Sequence, residues 1–147
     1  MTSEVIVPPR RPRQAGGMDP RSLVALMPFA ELLGITLATA APERVEGSME
    51  WAPERCTTAG LLHGGALMSL ADSTGAVCAF LNLPEGASTS TIESKTNLFR
   101  GVRQGTVTAV STPLHVGRTT IAVQTEVRDA AGKLVSFTIQ TQAVLQG

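Results

Sequence analysis

Tyrosine is missing from this chain, and one tryptophan and four phenylalanines are all the aromatic surface that its 147 residues offer. Stacking platforms for single-stranded nucleic acid are thereby excluded. An excess of one charge is lacking too. Twelve Lys and Arg balance twelve Asp and Glu, and the basic residues are scattered after residue 21. No electrostatic footprint for a phosphate backbone results. Two cysteines, Cys56 and Cys78, are too few for a disulfide framework and too far apart for CxxC chemistry. With no signal peptide ahead of them, reduced thiols in a cytoplasm are expected. The only histidines are His63 and His115, with no acid or thiol cluster beside either, so no metal site is expected. No apolar run reaches the length of a bilayer span, and the longest carries a carboxylate, so a soluble protein without membrane contact is expected.

What is present is enough for one core. Hydrophobic residues make up 43% of the chain and charged ones 16%, which fits one folded domain over residues 18–147. Residues 1–17, MTSEVIVPPRRPRQAGG, combine prolines, arginines and a glycine pair and read as a disordered tail. Asp19 and Pro20 then open a helical pattern through Leu23, Leu26, Met27, Ala30 and Leu33, with a break at Pro28 and an end at Gly34. Ile35 to Thr39 and Val45 to Trp51 read as a hairpin around Ala41-Pro42. From Gly64 to about Asn82 the residues are small and apolar without alternation, which predicts a buried helix that Gly75 and Ser73-Thr74 weaken slightly. Strands follow over 89–99, 105–115, 119–128 and 133–145. Alternation is clean in Ile121, Val123, Thr125, Val127 and again in Val135, Phe137, Ile139, Thr141, Ala143, with a hairpin turn at Asp129-Ala130-Ala131-Gly132.

Asp72 is the only charged side chain between Arg55 and Glu85. A carboxylate in so apolar a segment is costly to bury without hydrogen bonds or a function that needs it. The segment begins His63-Gly64-Gly65, small residues that let a ligand approach the backbone. A helix apolar on nearly every side must be covered on nearly every side, so the expected fold is α+β, a long central helix wrapped by a curved antiparallel sheet.

The HGGALMSLAD segment that opens this helix, with TNLFRGVRQG downstream, resembles the hotdog-fold acyl-CoA thioesterases, nearest to the phenylacetate-pathway and 4-hydroxybenzoyl-CoA thioesterase group. The likeness covers about residues 30–145. It implies hydrolysis of a coenzyme A thioester, with coenzyme A as part of the substrate and no separate cofactor. It also implies a site between subunits, in a homodimer at minimum and a homotetramer as the expected assembly.

That chemistry needs donors where charge develops on the carbonyl oxygen and a base or nucleophile near the carbonyl carbon. Unpaired amides at a helix start supply the donors, Gly64 first and Gly65 helping at the substrate. Asp72 is the acid, either a base for water or a nucleophile that forms a mixed anhydride. Local pairing with Ser69, Ser73 or a neighbouring strand is its bland alternative. Eight residues separate Asp72 from Gly64, about 12 Å along one helix axis, so Gly64 of one chain is expected to face Asp72 of another. His63 is assigned to positioning. The resemblance places Thr57 where the family carries Asn or Gln to orient water, a departure that puts this role in doubt, and Thr91 where a hydroxyl often stands near the water. It makes Arg100, Arg103 and Gly117-Arg118-Thr119 candidates for binding coenzyme A. Two other readings compete: a hotdog-fold dehydratase or hydratase, which would want a catalytic histidine paired with the acid, and a non-catalytic acyl-CoA-binding module, favoured by Thr57.

Overall fold

The computed structural model describes residues 18–147, so the tail expected over residues 1–17 lies outside the described residues. Asp19 accepts a hydrogen bond from the Arg21 amide at 3.3 Å and Pro20 takes the first helical position, which starts α1 (Pro20–Ala25). Pro28 breaks the helix as expected, and it also begins the next one, α2 (Pro28–Leu32), where its missing N–H costs nothing. Gly34, at φ +66°, turns the chain into the sheet.

The hairpin β1 (Thr36–Ala41) and β2 (Arg44–Glu50) leads through two short 3-10 turns, Pro53–Arg55 and Thr58–Gly60, to the long helix α3 (Gly64–Phe80). Four strands follow: β3 (Ser88–Leu98), β4 (Thr106–Val116), β5 (Thr120–Arg128) and β6 (Leu134–Leu145). All pair antiparallel in one six-stranded sheet of order β1-β2-β4-β5-β6-β3. Helix α3 touches every strand. This is the hotdog arrangement. The first half of α3 packs Leu67 and Leu70 against Met49, Val107 and Val127. Its second half packs Val77 and Cys78 against Val45, Ile121 and Val123. Small residues keep helix and sheet close: a Cβ on Gly47 would stand 2.9 Å from Thr74 Cγ2.

On β5 the apolar set read from the sequence is the buried one, Ile121, Val123 and Val127 together with Thr125. On β6 the faces are exchanged. Val135 is buried, but Ile139 is 43% exposed, whereas Ser136, Thr138, Gln140 and Gln142 lie buried against α3. The cause is a register shift between Val127 and Arg128 in the β5–β6 pairing, which puts both Val135 and Ser136 inside. The buried polar groups are largely paired. Ser111, Thr125, Thr138 and Thr96 stand opposite one another across four strands, with Ser111 Oγ 2.7 Å from Thr125 Oγ1 and Thr96 Oγ1 2.7 Å from Thr138 Oγ1.

A second irregularity shapes the edge strand. In β3 the register shifts between Thr91 and Glu93, leaving Ile92 outside the ladder and 63% exposed. Thr91, opposite Gln142, and then Ser94, Thr96 and Leu98, opposite Gln140, Thr138 and Ser136, thus share the face toward α3. Among the described residues nothing pairs with the outer edge of β3, and nearly all its residues are exposed.

Candidate active site

The start of α3 is held by its own loop. Thr57 donates its amide to Leu61 O at 2.8 Å, closing a turn in which Ala59 and Gly60 both have positive φ. Trp51 Nε1 donates to Gly60 O at 3.0 Å and Arg103 to Ala59 O at 2.5 Å, pinning that turn from two sides. His63 caps the helix: its backbone amide donates to Arg55 O at 2.9 Å and its Nδ1 accepts from the Gly65 amide at 2.8 Å. Gly65 is therefore already engaged. The Gly64 amide, at the first helical position, has no acceptor in the preceding turn, as at any helix start.

Beside it lies a pocket of about 330 Å³ whose wall includes Thr57, Leu61, Gly64, Leu98, Phe99 and Arg100. A Cβ on Gly64 would stand 2.8 Å from Leu98 Cδ1. The absent side chain is what lets this wall close over the helix start.

Two turns further along α3 stands Asp72, half-buried among the strands β3 and β6. Thr91 Oγ1 donates to Asp72 Oδ1 at 3.0 Å, and Gln140 Nε2 donates to the same oxygen at 3.0 Å. Gln142 Nε2 in turn donates to Thr91 Oγ1 at 2.7 Å, which commits the Thr91 proton to Asp72. Thr89 Oγ1 donates to Ala143 O at 2.9 Å and lies 3.2 Å from Gln142 Oε1. Oδ1 therefore receives two donors, and Oδ2 makes no hydrogen bond among the described residues. Ser69 does not pair with Asp72; its hydroxyl donates to Gly65 O at 2.7 Å.

The sequence candidates thus fall into two groups on one chain. Asp72 and Thr91 meet; Gly64, Thr57 and Arg100 share the pocket. Arg103 is held by the Ala59 carbonyl at the back of the loop. Gly117, Arg118 and Thr119 form the β4–β5 turn, where Gly117 N donates to Thr120 O and Thr119 O accepts from Val144 N. Among the described residues no group of His, Cys, Asp and Glu is placed to hold a metal ion. Burial, with Glu43 nearby, pushes the Cys78 thiol up to about 12, and its sulfur lies on the C-terminal half of α3, facing Pro42 O. It is a packing residue and not a nucleophile.

Gln140 and Gln142 escape a reading of the sequence. Alternating with Ile139, Thr141 and Ala143, they look like the solvent side of β6. The one signal was Gly75, a helix-weakening residue three positions after the lone acid, because a Cβ there would overlap the Gln140 amide.

Residues 59–136 match the model of the Thioesterase superfamily. The chain belongs to the thioesterase superfamily. Its relatives within it include the proofreading thioesterase EntH of Cronobacter sakazakii, 30% identical over 80% of this chain and 85% of that one. The 1,4-dihydroxy-2-naphthoyl-CoA hydrolase of Escherichia coli is 37% identical over 58% of this chain and 63% of that one. The protein VC_A0580 of Vibrio cholerae is 39% identical, but the match spans only 57% of its length. Among solved structures, thioesterase HI1161 of Haemophilus influenzae superposes with a TM-score of 0.84 at 28% identity, covering 89% of this chain and 93% of that one. Membership of the superfamily makes the chain a thioester hydrolase.

Proposed function

We propose that this thioesterase hydrolyses acyl-coenzyme A at a site shared by two copies of the chain, with Asp72 from one copy and the Gly64 amide from the other. The observation that carries this reading is the arrangement of Asp72: one carboxylate oxygen saturated by Thr91 and Gln140, the other left for a reacting atom. In the base form of the mechanism, Oδ2 takes a proton from water as the water oxygen bonds to the thioester carbon. The oxyanion forms at the Gly64 N–H, and the C–S bond then breaks, the proton leaving with the thiolate. In the nucleophilic form, Oδ2 bonds to the carbon, coenzyme A leaves, and water cleaves the mixed anhydride. Both end in free acid and coenzyme A.

Two copies are needed because the two groups lie about 12 Å apart along one helix, while reacting atoms must approach to roughly 3–3.5 Å. The unpaired edge of β3 suggests how they meet. Thr91 touches Asp72 and Leu98 covers Gly64; with Ile92 outside the ladder these strand residues stand six ladder positions apart, about 20 Å along β3. Antiparallel pairing of β3 with its copy, centred on Lys95 and with Ile92 left out of the ladder, sets Thr91 of one chain opposite Leu98 of the other. Asp72 and Gly64 are brought together by the same two-fold axis. Such pairing also covers a long exposed strand edge, which otherwise invites aggregation.

Coenzyme A as the carrier is supported by the name of the Escherichia coli relative, and Arg100 at the pocket rim supplies a cation for its phosphates. Leu61, Leu98 and Phe99 favour an apolar acyl or aryl group. Thiol release from a panel of arylacetyl-, benzoyl- and medium-chain acyl-CoAs tests the reading, with Asp72→Asn expected to lower turnover by about 10²- to 10⁴-fold. Binding without release would mean a carrier module, and hydration of an enoyl thioester without release a hydratase.

A further inference from the structure

We infer that Gln140 is a positioning residue for the reaction: it aims the Asp72 carboxylate at the substrate, and Gly75 is the residue that admits it. The inference rests on the assignment of Asp72 as base or nucleophile and deepens it.

Gln140 is fully buried on the inner face of β6. Its Oε1 has no hydrogen-bond partner among the described residues. Burying an amide carbonyl without a partner is unfavourable, and an aliphatic side chain of the same size would avoid that cost. The polar return on this amide is a single group: Nε2 donates to Asp72 Oδ1 at 3.0 Å and, more distantly, to the Asp72 backbone carbonyl at 3.5 Å.

A second, independent cost converges on the same contact. Position 75 lies in the middle of α3, where glycine weakens a helix relative to alanine. A Cβ there would overlap Gln140 Oε1 and would come within 2.6 Å of its Cδ. The chain thus tolerates a weakened helix and an unpaired carbonyl at the one place where together they allow an amide to reach the acid. Both features are explained if Gln140 sets the direction of Asp72.

The geometry also explains why Gln140 is needed beside Thr91. Thr91 sits on the exposed edge strand at a bulge, its hydroxyl held by the Gln142 amide. Gln140 belongs to a strand paired on both sides, with Ser94 of β3 and Val123 of β5 opposite it. Two donors from two strands fix the carboxylate plane where one would leave it free to swing, and turn Oδ2 away from the sheet.

Gln140→Met keeps the volume and removes the donor. In the full-length protein it is expected to lower kcat by about 10- to 100-fold with KM changed less than about threefold, since a misaimed group is felt in the transition state and not in binding. In the Asp72→Asn background the same substitution is expected to change the residual rate by less than about twofold, because a donor that acts through Asp72 has nothing left to aim. Gln140→Asn, which keeps the amide but withdraws it by one methylene, guards against misfolding of the Met variant and is expected to lose kcat similarly. Wild-type kcat in either folded variant, beside an inactive Asp72→Asn, overturns this proposal alone. Equal losses in the wild-type and Asp72→Asn backgrounds overturn it too, since they mark a general packing effect. Undiminished turnover in Asp72→Asn overturns both the proposal and the assignment beneath it.

Discussion

Gly75 and Gln140 share one space: the amide of Gln140 lies where the side chain of any other residue at position 75 would begin. Gly75→Ala tests which effect governs this contact. Helix propensity favours alanine by about 1 kcal/mol. Overpacking a buried site costs about 1–3 kcal/mol, and Gln140 is fully buried with little room to yield. A net loss of up to about 2 kcal/mol in a urea unfolding series is expected. Combining Gly75→Ala with Gln140→Ala frees the space and is expected to recover most of the loss relative to Gly75→Ala. A stabilised single variant would show that Gln140 moves aside freely.

The Gly64 amide can be removed without removing the helix. Proline suits the first helical position, and His63 before it already has extended geometry, φ −64° and ψ 135°, which a following proline requires. The added ring would press on Leu98 Cδ1, the end of a flexible and half-exposed side chain. Gly64→Pro is therefore expected to keep its circular dichroism spectrum while kcat for thiol release falls by about 10²- to 10³-fold, the usual loss for one oxyanion donor. Retained turnover would move the oxyanion to another donor.

What the sequence disclosed depends on how far apart the interacting residues stand in it. Helix α3 announces itself through the length of an apolar run without alternation, strand β5 through its alternation, and Asp72 through its isolation among apolar residues. The inner face of β6 could not be read in this way. Its polarity answers to Asp72 on a helix 68 residues earlier, and the register shift at Val127 that exchanges the faces leaves no compositional mark. Thr91 faces the acid through a bulge that is equally silent. At the helix start, HGG reads as two available amides, but the histidine that precedes them takes the second for its cap.

Cys78 makes stability fall at high pH. Burial, then Glu43, raises its thiol to about 12 in the folded chain, whereas an unfolded cysteine titrates near 8.5. Between these values the unfolded chain has released a proton that the folded one retains, so unfolding becomes easier as pH rises. The contribution is complete below about pH 8 and lost as pH climbs toward the folded value. Cys78→Ala or Cys78→Ser is expected to flatten the decline of unfolding midpoint between pH 8.5 and 10.5, a window near the thiol's unfolded value. An unchanged slope in both variants would assign the decline to other groups.

The shared site makes a quantitative demand on mixtures. A homodimer of Asp72→Asn lacks the acid in both sites, and one of Gly64→Pro lacks the donor in both. If each site draws Asp72 from one chain and Gly64 from the other, a mixed dimer holds one site with both defects and one with neither. Random exchange makes half the dimers mixed, and each of these has one intact site in two, so about a quarter of wild-type turnover is expected to return. Subunit exchange by co-refolding equal amounts of the two variants, followed by thiol release with a reactive acyl-CoA, measures this directly. A site built within one chain predicts no recovery at all, because every chain in the mixture carries a defect. The two outcomes are far enough apart that partial exchange would not confuse them.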